Sequence, residues 1–465
     1  MASSFGGINT ALSSLYAQRR GLDVTGQNIA NANTEGYSRQ RVSMQSQVGG
    51  TTATMYAKTD GLGTGVAASD VQRMRDEFLE NRGRMEHGVN AQLASQKAAY
   101  TSIENAFAEP SDTALAAQFR DMWGSWNDVA NNPQLQAPRS AVIQQSNTVA
   151  DSLNAAHESL ARQWKQNEVQ MGAYVDEVNG TARSIAQLND SIVKANASGI
   201  TVNELEDRRD QLAMKLAELT GATAAKRDNG GMDVFVGGTN IVSGTVVNDI
   251  RFAGPDRLEN QTPANKASLV WTNIPDPPAN RVEAGGTMGS MIHTMAEIIP
   301  NLSSELDSVA DNMIDKVNTA HRAGHGVSGA TGEDFFRRAA DGSIEVLIND
   351  PDDVAIAATP GTLDNSVAAG IADIGDLGDG PDREYEGMIG RLGVAAQGTA
   401  RRAEIQSVVT EQVDAAREGE AGVNLDEEMT NLLTYQRGYE AASRVLTTID
   451  SMLDQLINRT GLVGR

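Results

Sequence analysis

The chain has 465 residues and no cysteine. That absence excludes disulfide scaffolds, thiolate zinc sites, iron–sulfur clusters and thiol nucleophiles together, and it leaves the redox compartment undetermined. Aromatic residues are scarce, 4% against 40% hydrophobic overall, so the apolar material suits thin helix-on-helix packing better than a thick core filled by rings. Basic residues are outnumbered, 38 to 61, for a net charge of −23. Such a charge repels phosphate backbones and anionic lipid surfaces, so neither nucleic acid nor a membrane is expected as a partner. No run approaches the roughly 18 apolar residues of a membrane span. The first residues have neither a basic n-region nor an apolar h-region, so no cleaved signal peptide is expected.

What is present is helical periodicity. The length suggests about three domains at roughly 150 residues each. Ile8, Leu12, Leu15, Arg19, Leu22, Gly26 and Ile29 recur in alternating steps of four and three, a heptad spacing with two imperfect positions. The stripe ends at Asn31 to Gly36, where Asn and Gly favour a turn. Gln45 to Gly65 reads as loosely structured strand and loop, Val71 to Ala108 and Ser111 to Asn131 as helices, with Pro110, Pro133 and Pro138 as punctuation. From Val142 to Ile192 the three-four spacing persists, with one four-four step at Leu160 to Trp164 that resembles a stutter. A helix that long spans roughly 75 Å at 1.5 Å per residue, which predicts an elongated molecule. A shorter helix, Thr201 to Thr220, follows a break at Gly199.

Short β-branched runs separated by Gly, Asn and Pro mark Ala225 to Gly285 as a small β domain, expected to sit outward, where removing it spares assembly. Met288 to Arg322 is helical, a Gly- and Asp-rich stretch with a strand near Ile344 follows, and the last eighty or so residues are helical again. There Leu425, Met429, Leu432, Gln436, Tyr439, Ser443, Leu446, Asp450, Leu453 and Ile457 repeat the first stripe's alternation, behind a capping Asn424 and the acids Asp426, Glu427 and Glu428. Neither terminal stripe is broad enough to bury itself in a monomer, so the two helices are expected to pair with each other and then with neighbouring subunits. The fold class expected is mainly α with inserted β: an elongated bundle of long helices, the N- and C-terminal helices paired as a coiled coil, and a small outer β domain. The segments are 1–72 (assembly helix and linker), 73–224 (long-helix rod), 225–287 (β domain), 288–323 (return helix), 324–382 (Gly/Asp-rich insertion) and 383–465 (C-terminal rod and assembly helices).

A search for chemistry nominates no catalytic, cofactor-binding or metal-binding residue. His157-Glu158 has Ala161 where a zincin carries its second ligand, and His321 and His325 are separated by an expected helix end at Gly324. The glycine-rich stretches lack phosphate-loop spacing, the acidic clusters at 350–353 and 373–382 lack the alternation of a calcium loop, and no Ser sits in a GxSxG elbow. No enzymatic activity and no cofactor are expected.

Ser13-Ser14-Leu15-Tyr16, Gly21-Leu22, Asn28-Ile29-Ala30-Asn31-Ala32-Asn33-Thr34 and Gly36-Tyr37-Ser38-Arg39-Gln40 resemble the motif shared by flagellar rod, hook and junction proteins. Three further stretches resemble the FlgK family of hook–filament junction proteins. They are Gly65-Val66 through Val71-Gln72-Arg73 to Phe78-Leu79, Glu206-Asp207-Arg208-Arg209-Asp210-Gln211-Leu212, and Gly422 to Glu428 with Asn431-Leu432-Leu433, Tyr435-Gln436 and Tyr439. The likeness covers about a third of the chain, mostly its ends, and is weak from Ala225 to Asp382; Glu35 stands where the family usually carries Pro, so that turn is less preset.

The resemblance implies a structural adapter of the bacterial flagellum, exported through the type III apparatus and extracellular. It also implies a ring of subunits, with the hook protein, the second hook-associated protein and an export chaperone on the C-terminal helix as partners. The residues expected to carry assembly are Ile8, Leu12, Leu15, Leu22, Ile29, Asn33, Gly36, Tyr37, Leu425, Met429, Leu432, Tyr439, Leu446 and Leu453. The terminal stripes are expected to be partly disordered in the free chain and to gain order on stacking. Another axial protein, the hook protein or the second hook-associated protein, is the alternative within the superfamily; a coiled-coil surface adhesin using the β domain, with a rigid monomer, is the alternative outside it.

Overall fold

The computed structural model describes residues 4–47, 63–275, 280–329, 332–362 and 364–459, so most of the loop expected between Gln45 and Gly65 lies outside the described residues. The chain opens with α1 (Ser4–Ala30) and an antiparallel hairpin of β1 (Gln40–Gln47) and β2 (Gly65–Arg73). Val71 thus belongs to a strand, and the helix expected from that position, α2 (Glu77–Phe107), starts only where Asp76 caps the amides of Phe78 and Leu79 at 2.7 and 3.1 Å. Then come α3 (Leu115–Asn131), α4 (Gln136–Ala197) and α5 (Asn203–Thr220).

α4 is 62 residues long, roughly 93 Å at 1.5 Å per residue. It includes Pro138, read from sequence as punctuation, because a proline in the first turn removes no intrahelical hydrogen bond. Its seam is buried at the heptad positions Val142, Val149, Leu160, Trp164, Met171, Val178, Ile185 and Ile192. The two halves of the seam serve different cores. The first half packs with α3, α7 (Ile299–Arg322) and α9 (Pro381–Ala421) around Phe119, Trp126, Leu160 and Trp164. The second packs with α5 and a β unit.

That unit contains a sheet in the order β3 (Thr223–Lys226), β4 (Met232–Val236), β5 (Thr239–Ser243), β6 (Val246–Val247), and a separate pair, β7 (Ile250–Ala253) and β8 (Ser268–Trp271). It starts two residues before the expected boundary, and it is not a detachable appendage. Met232, Val234, Ile241, Leu269 and Trp271 share one core with Val178, Ile185 and Leu216 of the helices. Excising 225–285 would therefore expose the helices' apolar face, which corrects the expectation that the unit can be removed freely.

α6 (Gly286–His293) runs into α7 through a single π-wound turn at Thr294–Ile298. A π-turn displaces carbonyls from the i→i+4 pattern. Here the Met295 carbonyl accepts from the Trp164 indole at 3.0 Å and from Gln261 at 3.1 Å. The Gly/Asp-rich stretch contributes β9 (Phe336–Arg338), β10 (Ile344–Val346) and α8 (Ser366–Ala372), and it buries Phe335, Phe336, Val354, Ile356 and Ile371 in the first core. Among its acids, half-exposed Asp352 pairs with buried Arg139 at 2.7 Å. His321 is a core residue whose ring nitrogens face the Glu333 carbonyl at 2.9 Å and the Ala355 amide at 3.1 Å; burial pushes its pKa down, which keeps it neutral.

One device recurs at the strand starts. Asn28, Asn179, Asn189, Asn318 and Asn154, all on helices, use their side-chain amides as a neighbouring strand would. Each donates to the carbonyl and accepts from the N–H of one residue: Gln40, Ile250, Met232, Phe336 and Ile344 respectively. Each of those is the first residue of its strand. Backbone groups of a strand's first residue are thereby satisfied by a helix.

Trp164→Ala should destabilise the rod by about 3–5 kcal/mol. Buried indole volume is lost and the Met295 carbonyl loses a donor. Denaturant titration followed by helical circular dichroism would show this as a lowered midpoint.

Candidate assembly site: the terminal helix pair and its ionic collar

α1 pairs with α10 (Leu425–Asp454), the last long helix of the chain. A Cβ added at Gly7 would meet Ile449 at 3.0 Å, at Gly21 the Tyr435 ring at 2.8 Å, and at Gly438 Gln18 at 2.7 Å, while Asn28 reaches Glu428 at 3.1 Å. Each advance along α1 is matched by an equal retreat along α10, so the helices run antiparallel in constant register. At position 21 glycine leaves room for the Tyr435 ring, which any Cβ would displace, whereas at 438 a Cβ would meet only the end of the flexible Gln18 side chain.

The seam on α1 is therefore Gly7, Ala11, Gln18, Gly21, Thr25 and Asn28, a row of small and polar residues. The apolar stripe read from the sequence lies one residue, about 100°, around the helix. Ile8, Leu12, Leu15, Leu22 and Ile29 are half-buried beside the seam. On α10, Leu432, Leu446 and Leu453 are half-buried towards it, while Leu425, Met429 and Tyr439 are exposed by 53%, 57% and 41%. A third face of α1 packs on the hairpin through Val24 against Val42 and Val71. Asn33 is exposed in the turn after α1, and Gly36 and Tyr37 are half-buried there.

Asn28 organises that turn. Its Nδ2 donates to the Gln40 carbonyl at 2.9 Å and to Glu428 at 3.1 Å, and its Oδ1 accepts from the Tyr37 hydroxyl at 2.8 Å and the Gln40 amide at 3.0 Å. Burial, with the charges of Asp207, Glu204 and Glu428, pushes the Tyr37 phenol up to about 12, so it remains a neutral donor. Gly36 adopts φ +75°, and a Cβ there would overlap the Gln211 side chain, which donates to the Glu35 carbonyl at 2.6 Å. A tertiary hydrogen bond thus holds the turn where the family more often carries a proline ring.

Arg39 closes the joint from the other side. It pairs with Glu428 at 2.9 Å and Glu427 at 2.8 Å, and its amide donates to the Ala421 carbonyl at the end of α9. Next to it a collar of ion pairs ties α5, α2 and α9 together. Ser38 donates to Asp207 at 2.7 Å; Arg73 pairs with Glu206, with Asp207 at 2.8 Å and with Asp210 at 2.9 Å. Arg75 pairs with Asp210, and Arg417 with Glu80 at 3.1 Å and Asp414 at 2.8 Å. Burial works against the charged forms, but Arg75 and Arg73 outweigh it and hold Asp210 below the usual carboxylate range, while Asp210 and Glu206 hold Arg73 above its own. His87 on α2 bridges Glu218 of α5 at 3.2 Å and Asp414 of α9 at 2.9 Å. The hydrogen bond to Glu218 raises its pKa against burial, and Asp414 adds to the rise.

Of the collar, Ser38, Arg73, Glu206, Asp207 and Asp210 stand in stretches that carried the family resemblance but had no role assigned, and Arg75, Glu80, His87, Glu218, Asp414 and Arg417 were missed. Glu206, Asp207 and Asp210 are spaced to lie on one face of a helix, but nothing local identifies Arg73 as their partner. The site is a mechanical joint, with charge pairs placed to fix the angle between elements. Among the described residues no group of three or more His, Asp or Glu is placed to hold a metal, and no helix is long and apolar enough to cross a membrane.

Comparison with known proteins gives three matches to family models. The flagellar hook-associated protein FlgK helical domain matches residues 100–336, the flagellar basal body rod FlgEFG protein C-terminal region matches 420–459, and the flagella basal body rod protein family matches 8–37. Flagellar hook-associated protein 1 of Bacillus subtilis is 30% identical, with all of both chains covered. Its Escherichia coli counterpart is 29% identical over 76% of this chain and 63% of its own, and that of Salmonella typhimurium 26% over 71% and 59%; the chain thus spans about three fifths of the enterobacterial relatives. The solved structure of the flagellar hook junction protein FlgK from Burkholderia pseudomallei superposes with a TM-score of 0.62 at 13% identity, covering 73% of this chain and 99% of that one, which shows a shared fold.

Asn28→Ala should cost about 1–3 kcal/mol, because the Gln40 amide and buried Glu428 each lose a partner. Tyr37→Phe, which removes one of the four hydrogen bonds, should cost less; the order of the melting temperatures checks this. His87→Gln should remove a pH-dependent part of the stability. A histidine whose folded pKa is raised contributes fully below its unfolded value of about 6.5 and loses that contribution as pH rises through the folded value. The gap in melting temperature between parent and variant should be widest near pH 6 and shrink on going alkaline.

Proposed function

The chain belongs to the flagellar hook-associated protein 1 (FlgK) family, and on that basis we infer that it is a structural adapter of the bacterial flagellum, joining hook to filament by polymerising through its terminal helices. The observation that carries this reading is the one-sided burial of the terminal pair. α10 buries only Glu428 and Ala442 and leaves Leu425, Met429, Leu433, Tyr439, Val445 and Met452 each 41% exposed or more. Apolar side chains left in water forgo favourable burial of roughly 25 cal/mol per Å² until neighbours cover them.

The associations proposed are with flagellar axial proteins: a ring of like subunits, the hook protein on one side and the second hook-associated protein on the other. An export chaperone would cover the C-terminal helix before assembly. The extracellular placement and the type III export route belong to the same proposal, and the role is mechanical, with no catalytic step. Ile8, Leu12, Leu15, Leu22 and Ile29 of α1, with Leu425, Met429, Leu432, Tyr439, Leu446 and Leu453 of α10, supply the packing, while Asn33, Gly36 and Tyr37 set the turn that aims the pair.

Deleting the gene should leave cells with bare hooks and flagellin spilled into the medium, visible by electron microscopy and immunoblot. Intact filaments on the deletion strain would overturn the reading.

A further inference from the structure

The back of α1 carries a second surface, opposite the seam with α10. Between α1, the hairpin and the α4–α5 loop lies a groove of about 540 Å³. Its apolar walls come from Tyr16, Val24, Val71 and Leu205, and Arg19 and Arg20 line it as well. Both arginines are exposed, and among the described residues neither has a carboxylate within ion-pair distance, in a chain that carries 23 more acids than bases. Asp23 and Glu204 also line the groove.

We propose that this groove receives the first turns of α10 from a second copy of the chain, with Asp426 against the unpaired Arg19 and Arg20 and with Leu425 and Met429 on the apolar walls. The occupant is argued from complementarity. The start of α10 alternates exposed apolar residues, Leu425 at 53% and Met429 at 57%, with the exposed acid Asp426, and acids and apolar groups are what the groove's arginines and walls select. The chain's own α10 cannot fill it, because the register that sets Glu428 against Asn28 places Asp426 beside a different cleft, lined by Thr25, Arg39 and Tyr435. The docking rests on the adapter reading above and adds which face meets which segment.

The absence of cysteine makes the test clean. In the paired register Arg20 lies opposite Gln436, so Asp426 of the same chain is ten residues, roughly 15 Å, further along α10 and outside the roughly 7 Å Cα separation a disulfide tolerates. A disulfide in the double variant Arg20→Cys with Asp426→Cys must therefore join two copies. Flagella sheared from cells producing this variant in place of the parent, mildly oxidised and run on a non-reducing gel, should give dimers and a ladder above them. Arg20→Cys with Val394→Cys, whose second residue is 76% exposed on α9, should stay monomeric. Filament-bearing cells with no more dimer than this control would overturn the docking while leaving the adapter role intact. Intact filaments on the gene-deletion strain would instead remove the reading on which it rests.

Charge reversal decides independently if the cysteine pair does not assemble. Arg19→Glu with Arg20→Glu should reduce filaments per cell at least tenfold, and adding Asp426→Arg in the same chain should restore them at least in part. An undiminished filament number in the arginine variant, or no recovery in the combined one, would overturn the proposal.

Discussion

The hydrogen bond between Asn28 and Glu428 joins residues 400 positions apart, and the geometry of both ends of the chain depends on it. Glu428 is buried and carboxylate-bearing, a combination that is costly unless donors meet it. Asn28 and Arg39 supply them, and both come from the N-terminal segment. The two terminal helices therefore cannot be positioned separately. Asn28 also seats the first residue of β1, so the turn, the hairpin and the start of α10 are set by one side chain.

Polar groups do similar work throughout the molecule. With few aromatic side chains available, the long helices pack on thin seams, and orientation is assigned by asparagines that engage strand starts and by arginines that gather carboxylates. Arg73 alone faces three acids on α5. Breaking such a partly buried pair leaves an uncompensated charge, which is typically more destabilising than the intact pair is stabilising. The collar consequently resists partial changes, which suits a joint between a helical rod and a pair of assembly helices.

The helices were legible in the sequence because their periodicity is local. The run from Val142 to Ile192 reads directly as one long seam, and the burial of Val149, Leu160 and Ile185 follows it. The β unit was legible as strands, but its dependence on α4 and α5 was not, because Asn179 and Asn189 look like ordinary polar helix positions until Ile250 and Met232 arrive beside them. The Gly- and Asp-rich stretch was read as an insertion, and Phe335, Phe336 and Ile356 enter the main core. Nothing in its composition reveals the Asn318 side chain that holds it there.

By itself the sequence determined the helical character, the capped start of α10, the lack of thiol chemistry and the heptad stripes at both ends, since each follows from residues within a few positions of one another. Tertiary structure decided which face of each stripe is used inside the chain. The small residues at Gly7, Gly21 and Gly438 leave room for the Ile449, Tyr435 and Gln18 side chains of the opposite helix, so they took the seam, and the larger apolar residues were left on its flank. Heptad spacing alone does not choose between adjacent rows on a helix; close approach of a particular partner does.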